Sequence, residues 1–203
     1  MKMLKGKRLY LFPFLFTFCF SFGQTVSEIN IQLGIPNQLN EKEIRIYKSF
    51  DITNGTEIFR IYEDNEKRWI SELYKYYHNV NAYEKPRFEK SILQPNETYQ
   101  LIWLKIQATD IEYLPNWESF EYKLKGKGQF ILVDDELVLS RSKTSIMDGV
   151  GYKTFVRFGG KANFIDYHNP ESYLAHYPEV DELNSFSSLL SVIRNAFNIW
   201  KEK

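Results

Sequence analysis

Three histidines are the first residues of this chain whose types suggest chemistry. His168 follows Asp166 by two positions in an alternating segment, so both side chains are expected on one face of a strand. Together with His176, this pair has the donor types of a metal site. A convincing zinc site needs three or four donors at recognisable spacing, and the sequence does not identify the remaining donors. A cross-strand salt bridge from Lys153 explains Asp166 more simply, so we assign no metal ligand and no cofactor.

Three consecutive carboxylates, Asp134, Asp135 and Glu136, are a second candidate, for acid–base chemistry. Glycosidases use two carboxyl groups that face each other across a cleft at roughly 5–10 Å. Adjacent acidic residues between two apolar runs instead predict a hairpin turn, because Asp is a preferred turn residue. Nothing in the chain matches the Gly-x-Ser-x-Gly elbow of serine hydrolases. The sequence therefore assigns no catalytic residue and leaves enzyme activity open.

The most specific surface pattern lies in the first three predicted strands. If the turns at 54–55 and 65–66 each contain two residues, one face of this meander combines aromatic rings with guanidinium groups. The candidate binding residues on that face are Arg45, Tyr47, Arg60, Tyr62 and Trp69. Cross-strand pairs that stabilise the sheet are the simpler interpretation. Because Tyr, Trp and Arg dominate contact hot spots, an exposed docking platform is the alternative.

Alternation of polar and apolar residues predicts the strands that position these groups. After a polar extended segment at 25–41, strands are expected at 43–50, 57–62, 69–76, 120–125, 130–133, 137–140, 152–158 and 161–167. The last two strands form a hairpin around Gly159 and Gly160. In that hairpin, Lys153 is expected opposite Asp166.

Helical periodicity predicts a helix in the middle of the chain and a long one at its end. The first begins at Asn96, a favourable N-cap, and ends near Asp110. A short helix opens after Asn169, and the last covers 179–200 with an apolar stripe at helical spacing. This order predicts an α+β fold. Its antiparallel sheet is built from a meander and hairpins, and the mid-chain helix and the amphipathic C-terminal helix pack on one face.

The first 23 residues have the layout of a secretory signal peptide. Four basic residues precede the apolar run 9–22, and the small residues Ser21 and Gly23 come directly before the expected cleavage site after Gly23. Residues 24–203 then form a single domain in the periplasm or outside the cell. An uncleaved anchor is one alternative, although a span needs roughly 20 apolar residues. A lipoprotein acylated at Cys19 is another, although Phe18 is not the small residue such leaders prefer.

Removal of this leader changes the composition of the chain. The full sequence has 26 basic and 26 acidic residues, and four of the basic ones lie in the leader, so 22 remain. A mildly acidic mature protein argues against a nucleic-acid partner, which would require a basic face. The only cysteine, Cys19, also lies in the leader. The mature chain therefore depends on a hydrophobic core rather than on disulfides.

Several short motifs occur in the second half of the chain. They are Trp103, Leu114–Pro115, Asp148–Gly149, Tyr152, Asn169–Pro170–Glu171 and the amphipathic C-terminal helix. On these motifs, the chain resembles uncharacterised small exported proteins of bacteria. The resemblance implies the compartment and the α+β class, and it carries over no activity and no functional residues.

Together these features predict a non-enzymatic exported protein that binds a protein, peptide or glycan in the periplasm or at the cell surface. No membrane span is expected after the leader is cleaved. The alternatives are a secreted hydrolase with an unassigned active site, and an immunity or inhibitor protein directed against a toxin or hydrolase. A deep polar pocket would favour the enzyme, an exposed aromatic patch the binding module, and a protruding loop or acidic edge the inhibitor.

Overall fold

Eight strands are present in the described residues of this computed structural model, which are 25–78, 86–147 and 149–201. They are β1 Lys42–Phe50, β2 Gly55–Glu63, β3 Trp69–Tyr77, β4 Arg87–Ile92, β5 Gln129–Val133, β6 Glu136–Ser140, β7 Val150–Phe158 and β8 Lys161–His168. Six of them form one antiparallel sheet in the order β4-β3-β2-β1-β7-β8, whereas β5 and β6 form a separate hairpin. The predicted leader and Asp148 lie outside the described residues.

Helices cover both faces of the sheet. They are α1 Val26–Leu33, α2 Tyr99–Gln107, α3 Trp117–Phe120, α4 Pro170–His176 and α5 Asp181–Phe197, with two short 3-10 helices at Ile111–Tyr113 and Glu121–Leu124. In the part of the chain that the structure describes, every helix is too short or too polar to cross a bilayer.

The main core lies between the sheet and the helices α2 to α5. Ile44, Ile46 and Ile61 contribute from the strands, and we call their side of the sheet the helix face. The predicted stripe of α5, with Leu183, Phe186, Leu190, Ile193 and Phe197, is buried against it. The predicted α+β class, with the mid-chain and C-terminal helices on one face, is confirmed.

The opposite side of the sheet, which we call the outer face, is covered by α1. The prediction of an extended segment at 25–41 is wrong here. Thr25 and Glu28 form a capping box, and Gly34 ends the helix with a left-handed φ of 66°. Ile29 and Leu33 then pack on outer-face residues such as Tyr47. Capping rather than apolar periodicity therefore defines this helix.

Two other element predictions are corrected, and the structure adds one strand that the sequence does not predict. The mid-chain helix is capped by Thr98, whose Oγ1 accepts a hydrogen bond from Leu101 N, rather than by Asn96. The strand expected at 120–125 is helical instead. Edge strand β4 was not predicted, because its segment lacks regular alternation.

The lengths of two loops decide which side chains share a face. The β1–β2 loop contains four residues, so Tyr47 pairs with Ile58 rather than with Tyr62. An even shift of register preserves the faces. The β2–β3 loop contains five residues, and Trp69 therefore pairs with Glu63. This odd shift turns every side chain of β3 to the other face from the one predicted.

Candidate functional site

The predicted aromatic and arginine platform is not an exposed surface. Arg45, Tyr47 and Arg60 share the outer face as expected, but they are only 1, 3 and 5% exposed. Tyr62 is half-buried, and the Arg60 guanidinium lies 3.8 Å from the centre of its ring. The prediction of an accessible platform is wrong because α1 and the segment after it cover this face.

Trp69, the fifth predicted binding residue, lies on the helix face. Its ring stacks on Tyr99 with centroids 6.1 Å apart and contacts Trp103 at 5.1 Å. The five-residue loop before β3 causes this change of face, because pairing then shifts by one position. Trp69 is thus a partly buried member of the main core.

Instead of an exposed platform, the outer face carries a buried network of side chains with alternating charge. Glu43 lies at its centre, where Oε1 accepts hydrogen bonds from Arg45 Nη2 and Arg60 Nε, each at 2.6 Å. Its Oε2 accepts from the backbone and side-chain nitrogens of Asn40, each at 2.8 Å. Arg45 Nη1 also donates to the Pro36 carbonyl oxygen at 2.9 Å. These bonds compensate the cost of burying the charges.

The charge network continues across β3 to the edge strand β4. Arg60 Nη1 lies 3.6 Å from Glu72 Oε2, and Lys90 Nζ lies 2.8 Å from Glu72 Oε1. Tyr74 OH donates a hydrogen bond to Glu72 Oε2 at 2.9 Å. Glu43 and Glu72 were not among the predicted residues. Each has one polar and one apolar neighbour in the sequence, Lys42 and Ile44 for Glu43 and Ser71 and Leu73 for Glu72, so no pattern distinguished them from residues of a solvated strand face.

At the centre of this network, Glu43 and Arg60 each stabilise the charged form of the other. Burial alone would raise the pKa of Glu43, but the hydrogen bond from Arg60 and the charges of Arg45 and Arg60 lower that pKa below its usual 4.5. The contact with Glu43 in turn raises the pKa of Arg60 against the opposing effect of burial. Mutual compensation of this kind is typical of a structural network.

The histidine–aspartate pair lies on the outer face beside Ser49. His168 Nε2 is 3.6 Å from Asp166 Oδ1, which is too long for a hydrogen bond. Lys153 pairs with Asp166 as predicted, with 3.9 Å between Nζ and Oδ2. Ser49 Oγ donates to the Gly151 carbonyl oxygen at 3.4 Å. The residue types of a triad are thus on one face, but the contact that would activate the serine is not formed.

Polar side chains also converge beside α1, where their hydrogen bonds hold this helix on the sheet. A cavity of about 280 Å³ beside α1 is lined by Asn30, Arg45 and Tyr47, among others. Tyr47 OH donates a hydrogen bond to Asn30 Oδ1, and Asn30 Nδ2 donates to Asn37 Oδ1 at 2.8 Å. Within residues 25–78, 86–147 and 149–201, no group of three or more His, Cys, Asp or Glu is placed to hold a metal ion.

The β5–β6 hairpin carries the most unusual surface among the described residues. Phe130, Leu132, Leu137 and Leu139 are 74, 67, 69 and 55% exposed. Phe130 pairs with Leu139 and Leu132 pairs with Leu137, so the four side chains are contiguous on one face. We call these four residues the apolar hairpin face. Monomeric soluble proteins rarely expose large contiguous apolar patches, so this face is the candidate functional surface among the described residues.

The hairpin receives little support from the rest of the described structure. Ile131, Val133 and Val138, on its other face, are also exposed. The strands β5 and β6 pair with each other in a two-stranded sheet, apart from the six-stranded one. An isolated hairpin is marginally stable in water, and both strand edges offer unpaired backbone groups. A bound partner would remedy both the apolar exposure and the weak support.

Acidic and basic residues lie at opposite ends of the hairpin. Asp134 and Asp135 form the predicted turn, with left-handed φ values of 48° and 65°, and Glu136 follows them. Lys127 and Arg141 lie at the base, next to the ends of the strands. None of these five residues has an ion-pair partner among the residues that the structure describes. The hairpin therefore has an acidic tip and a basic base.

The sequence predicts the strands of this hairpin but not their exposure. The runs 130–133 and 137–139 are continuously apolar, which is typical of strands buried on both faces. In this structure the runs are exposed on both faces instead. The signal available in the sequence was the clustering of acidic residues in the turn and basic residues at both ends.

Comparison with known proteins adds no relative to this picture. No protein-family model matches the chain, and neither the curated proteins nor the solved structures contain a match. The resemblance to small exported bacterial proteins thus stays a prediction. A function for this chain has to be argued from its own surface.

Proposed function

We propose that this protein is an exported, non-enzymatic interaction module that binds a protein partner through the apolar hairpin face. The observation that carries the proposal is the contiguous exposure of four large apolar side chains on a hairpin outside the main sheet. Burial of such side chains is the dominant favourable contribution in most protein–protein association.

The chemistry of the face favours a protein over a glycan. Three of its four side chains are leucines, and Phe130 is its single aromatic residue. Leucine side chains offer neither hydrogen bonds nor the flat aromatic surface on which sugar rings stack. They match the apolar core of a protein interface, where buried side chains interdigitate as in a protein interior.

Export is the second part of the proposal and rests on the sequence. The basic start, the apolar run 9–22 and the small residues around Gly23 support a cleaved leader. We expect protein recovered from the extracytoplasmic fraction to have the mass of a chain that begins at Gln24. Full-length protein confined to the cytoplasm would contradict export, and a lipid-modified mass at Cys19 would identify a lipoprotein instead.

Site-specific photo-crosslinking tests the binding surface directly. A photoreactive residue replaces Leu132 or Leu137 in the full chain, produced in its native compartment. The matched control carries the same group at Ile52, an apolar residue of the β1–β2 loop that is 77% exposed. We expect discrete protein adducts at the two hairpin positions and none at Ile52. Absence of adducts at the hairpin, or equal adducts at all three positions, would overturn the proposal.

The acidic turn supports a second candidate function, that of an immunity or inhibitor protein. Asp134, Asp135 and Glu136 protrude at the tip, where they fit a basic cleft in a toxin or hydrolase. In that case the adducts contain a different, basic protein. Replacement of Asp134 and Asp135 by Asn would then abolish capture, whereas serine at Leu132 and Leu137 would leave it largely intact.

A further inference from the structure

We propose that the occupant of the apolar hairpin face is a second copy of this chain, packed face to face with the two hairpin axes antiparallel. This proposal rests on the proposed function, because it names the partner of the same surface. Three features of the hairpin support it: the layout of its apolar side chains, the separation of its charges, and the position of Arg141.

The apolar side chains form two rows that suit a two-fold axis. One row is Phe130 with Leu139, and the next is Leu132 with Leu137. In an antiparallel arrangement about an axis between the rows, the Phe130 row of each copy lies over the Leu132 row of the other. A two-fold interface uses the same patch on both subunits, which this face satisfies without any further surface.

The charges at the ends of the hairpin favour the antiparallel orientation. The five-residue strands are each about 17 Å long at the usual rise per residue. With full overlap, the acidic tip at Asp134 and Asp135 reaches the base of the other copy, which carries Lys127 and Arg141. Two such contacts form in each dimer. A parallel arrangement would instead place tip against tip and base against base, where like charges repel.

Arg141 lies on the correct side of the hairpin for this contact. A Cβ added at Gly128 would lie 2.7 Å from Leu139 Cδ1 and 3.4 Å from Arg141 Nε. The guanidinium group therefore extends over Gly128, beside a member of the apolar hairpin face. From there it borders the apolar patch as a charged rim residue.

A membrane fits this surface less well than a second copy does. The basic residues at the base would suit anionic headgroups, but the tip would then enter the hydrocarbon layer. That tip carries Asp134, Asp135 and Glu136, and intramembrane carboxylates are expensive. Binding to vesicles of anionic phospholipid by a protein that stays monomeric would overturn the proposal in favour of this alternative.

The first test measures self-association by sedimentation velocity. The purified protein, with its leader processed as the cell processes it, is examined over about 1–100 μM, a range that covers transient interfaces. We expect a monomer–dimer equilibrium. Leu132→Ser combined with Leu137→Ser should weaken dimerisation at least ~10-fold, because both centre the apolar hairpin face. Ile52→Ser, an exposed control, should leave the equilibrium unchanged.

The second test exchanges the charges at the two ends of the hairpin. The tip variant carries Asp134→Asn, Asp135→Asn and Glu136→Lys, since Asn tolerates the left-handed turn conformation. The base variant carries Lys127→Glu and Arg141→Glu. Each variant alone should dimerise more weakly than the wild-type protein, because tip and base then repel. An equimolar mixture should restore the dimer, because both contacts become attractive again.

The outcomes separate this proposal from the proposed function. A protein that stays monomeric up to the highest concentration, yet crosslinks to a different protein at Leu132, overturns self-association and leaves the interaction module standing. A monomer without hairpin adducts overturns both. A dimer whose stability does not change with the serine substitutions would overturn the antiparallel hairpin interface. Failure of the mixed tip and base variants to form the dimer would overturn it as well.

Discussion

The outer face under α1 and the β5–β6 hairpin depart from the usual distribution of residues in opposite directions. Under α1, the charged side chains of Glu43, Arg45 and Arg60 are almost completely buried. On the hairpin, Phe130 and Leu132 are mostly exposed. Buried charge and exposed contiguous apolar surface are the two departures that carry information about a fold.

The difference between the two regions is whether the departure is compensated within the chain. Each carboxylate oxygen of Glu43 accepts hydrogen bonds from Arg45, Arg60 or Asn40. Leu132 and Leu137 pair only with each other across the hairpin. The buried charges under α1 and the segment after it are thus compensated within the chain, whereas the apolar hairpin face is exposed and is the surface through which we propose that a partner binds.

Removal of the central charge should have the largest effect on stability. Glu43→Gln removes the counter-charge of buried Arg45 and leaves buried Arg60 only the longer contact with Glu72. We expect the free energy of unfolding in urea to fall by about 3–5 kcal/mol. The control Glu66→Gln breaks an exposed pair with Arg68 and should change it by at most about 1 kcal/mol. Equal stability of the two variants would show that the network contributes little.

Leucine-to-alanine substitutions in α5 and in the hairpin should have different effects on the free energy of unfolding, because one side chain is buried and the other is exposed. Leu190→Ala in α5 removes a fully buried side chain, and we expect a loss of about 2–5 kcal/mol in unfolding free energy. Leu132→Ala should change the unfolding free energy of the monomer by about 0.5 kcal/mol or less. Dilute protein is needed, so that association does not contribute. A large loss for Leu132→Ala would place the hairpin in the core of the fold.

Removal of the Tyr47 hydroxyl should show how much its hydrogen bond to α1 contributes to the free energy of unfolding. Tyr47→Phe removes the donor to Asn30 Oδ1 and leaves that buried acceptor unpaired. The expected loss of unfolding free energy is about 1–3 kcal/mol. Tyr113→Phe, at an exposed tyrosine that accepts a hydrogen bond from Lys161, should cost about 0.5 kcal/mol or less. Matching values for the two variants would argue against a buried α1 contact.

Lowering the pH should progressively remove the stabilisation that the charge of Glu43 provides. Because the folded state holds the pKa of Glu43 below its usual 4.5, the stabilisation is complete above that pH. It is lost as the pH falls through the lowered pKa of the folded state. We expect the unfolding free energy of the wild-type protein to fall more steeply below pH 4.5 than that of Glu43→Gln. Parallel pH curves would contradict a lowered pKa.

Sequence patterns identified the regular elements because each depends on local chemistry. The β7–β8 hairpin has its two-residue turn at Gly159 and Gly160, and its register places Lys153 opposite Asp166 as expected. The apolar stripe of α5 is buried in full. The capping box at Thr25 and Glu28 was equally local, but apolar periodicity around it is weak and the helix was missed.

The candidate site depended on properties that one strand does not encode. The face of Trp69 follows from whether the loop before it has an even or odd number of residues, and that loop has five. Alternation in β1 is compatible with a solvated face until the segment after α1 is placed over Arg45. For β5 and β6, continuous apolar runs indicate burial, and only the tertiary structure shows that no other strand of the described chain covers them.

Hydrogen exchange as a function of protein concentration compares the two regions in one measurement. If the hairpin is completed by a second copy, exchange of the amides in 129–140 should slow as concentration rises. Amides around Glu43 and Arg60, which are protected within the chain, should exchange at a constant slow rate. Fast exchange in 129–140 that does not change with protein concentration would contradict the proposal that this hairpin binds a second copy of the chain.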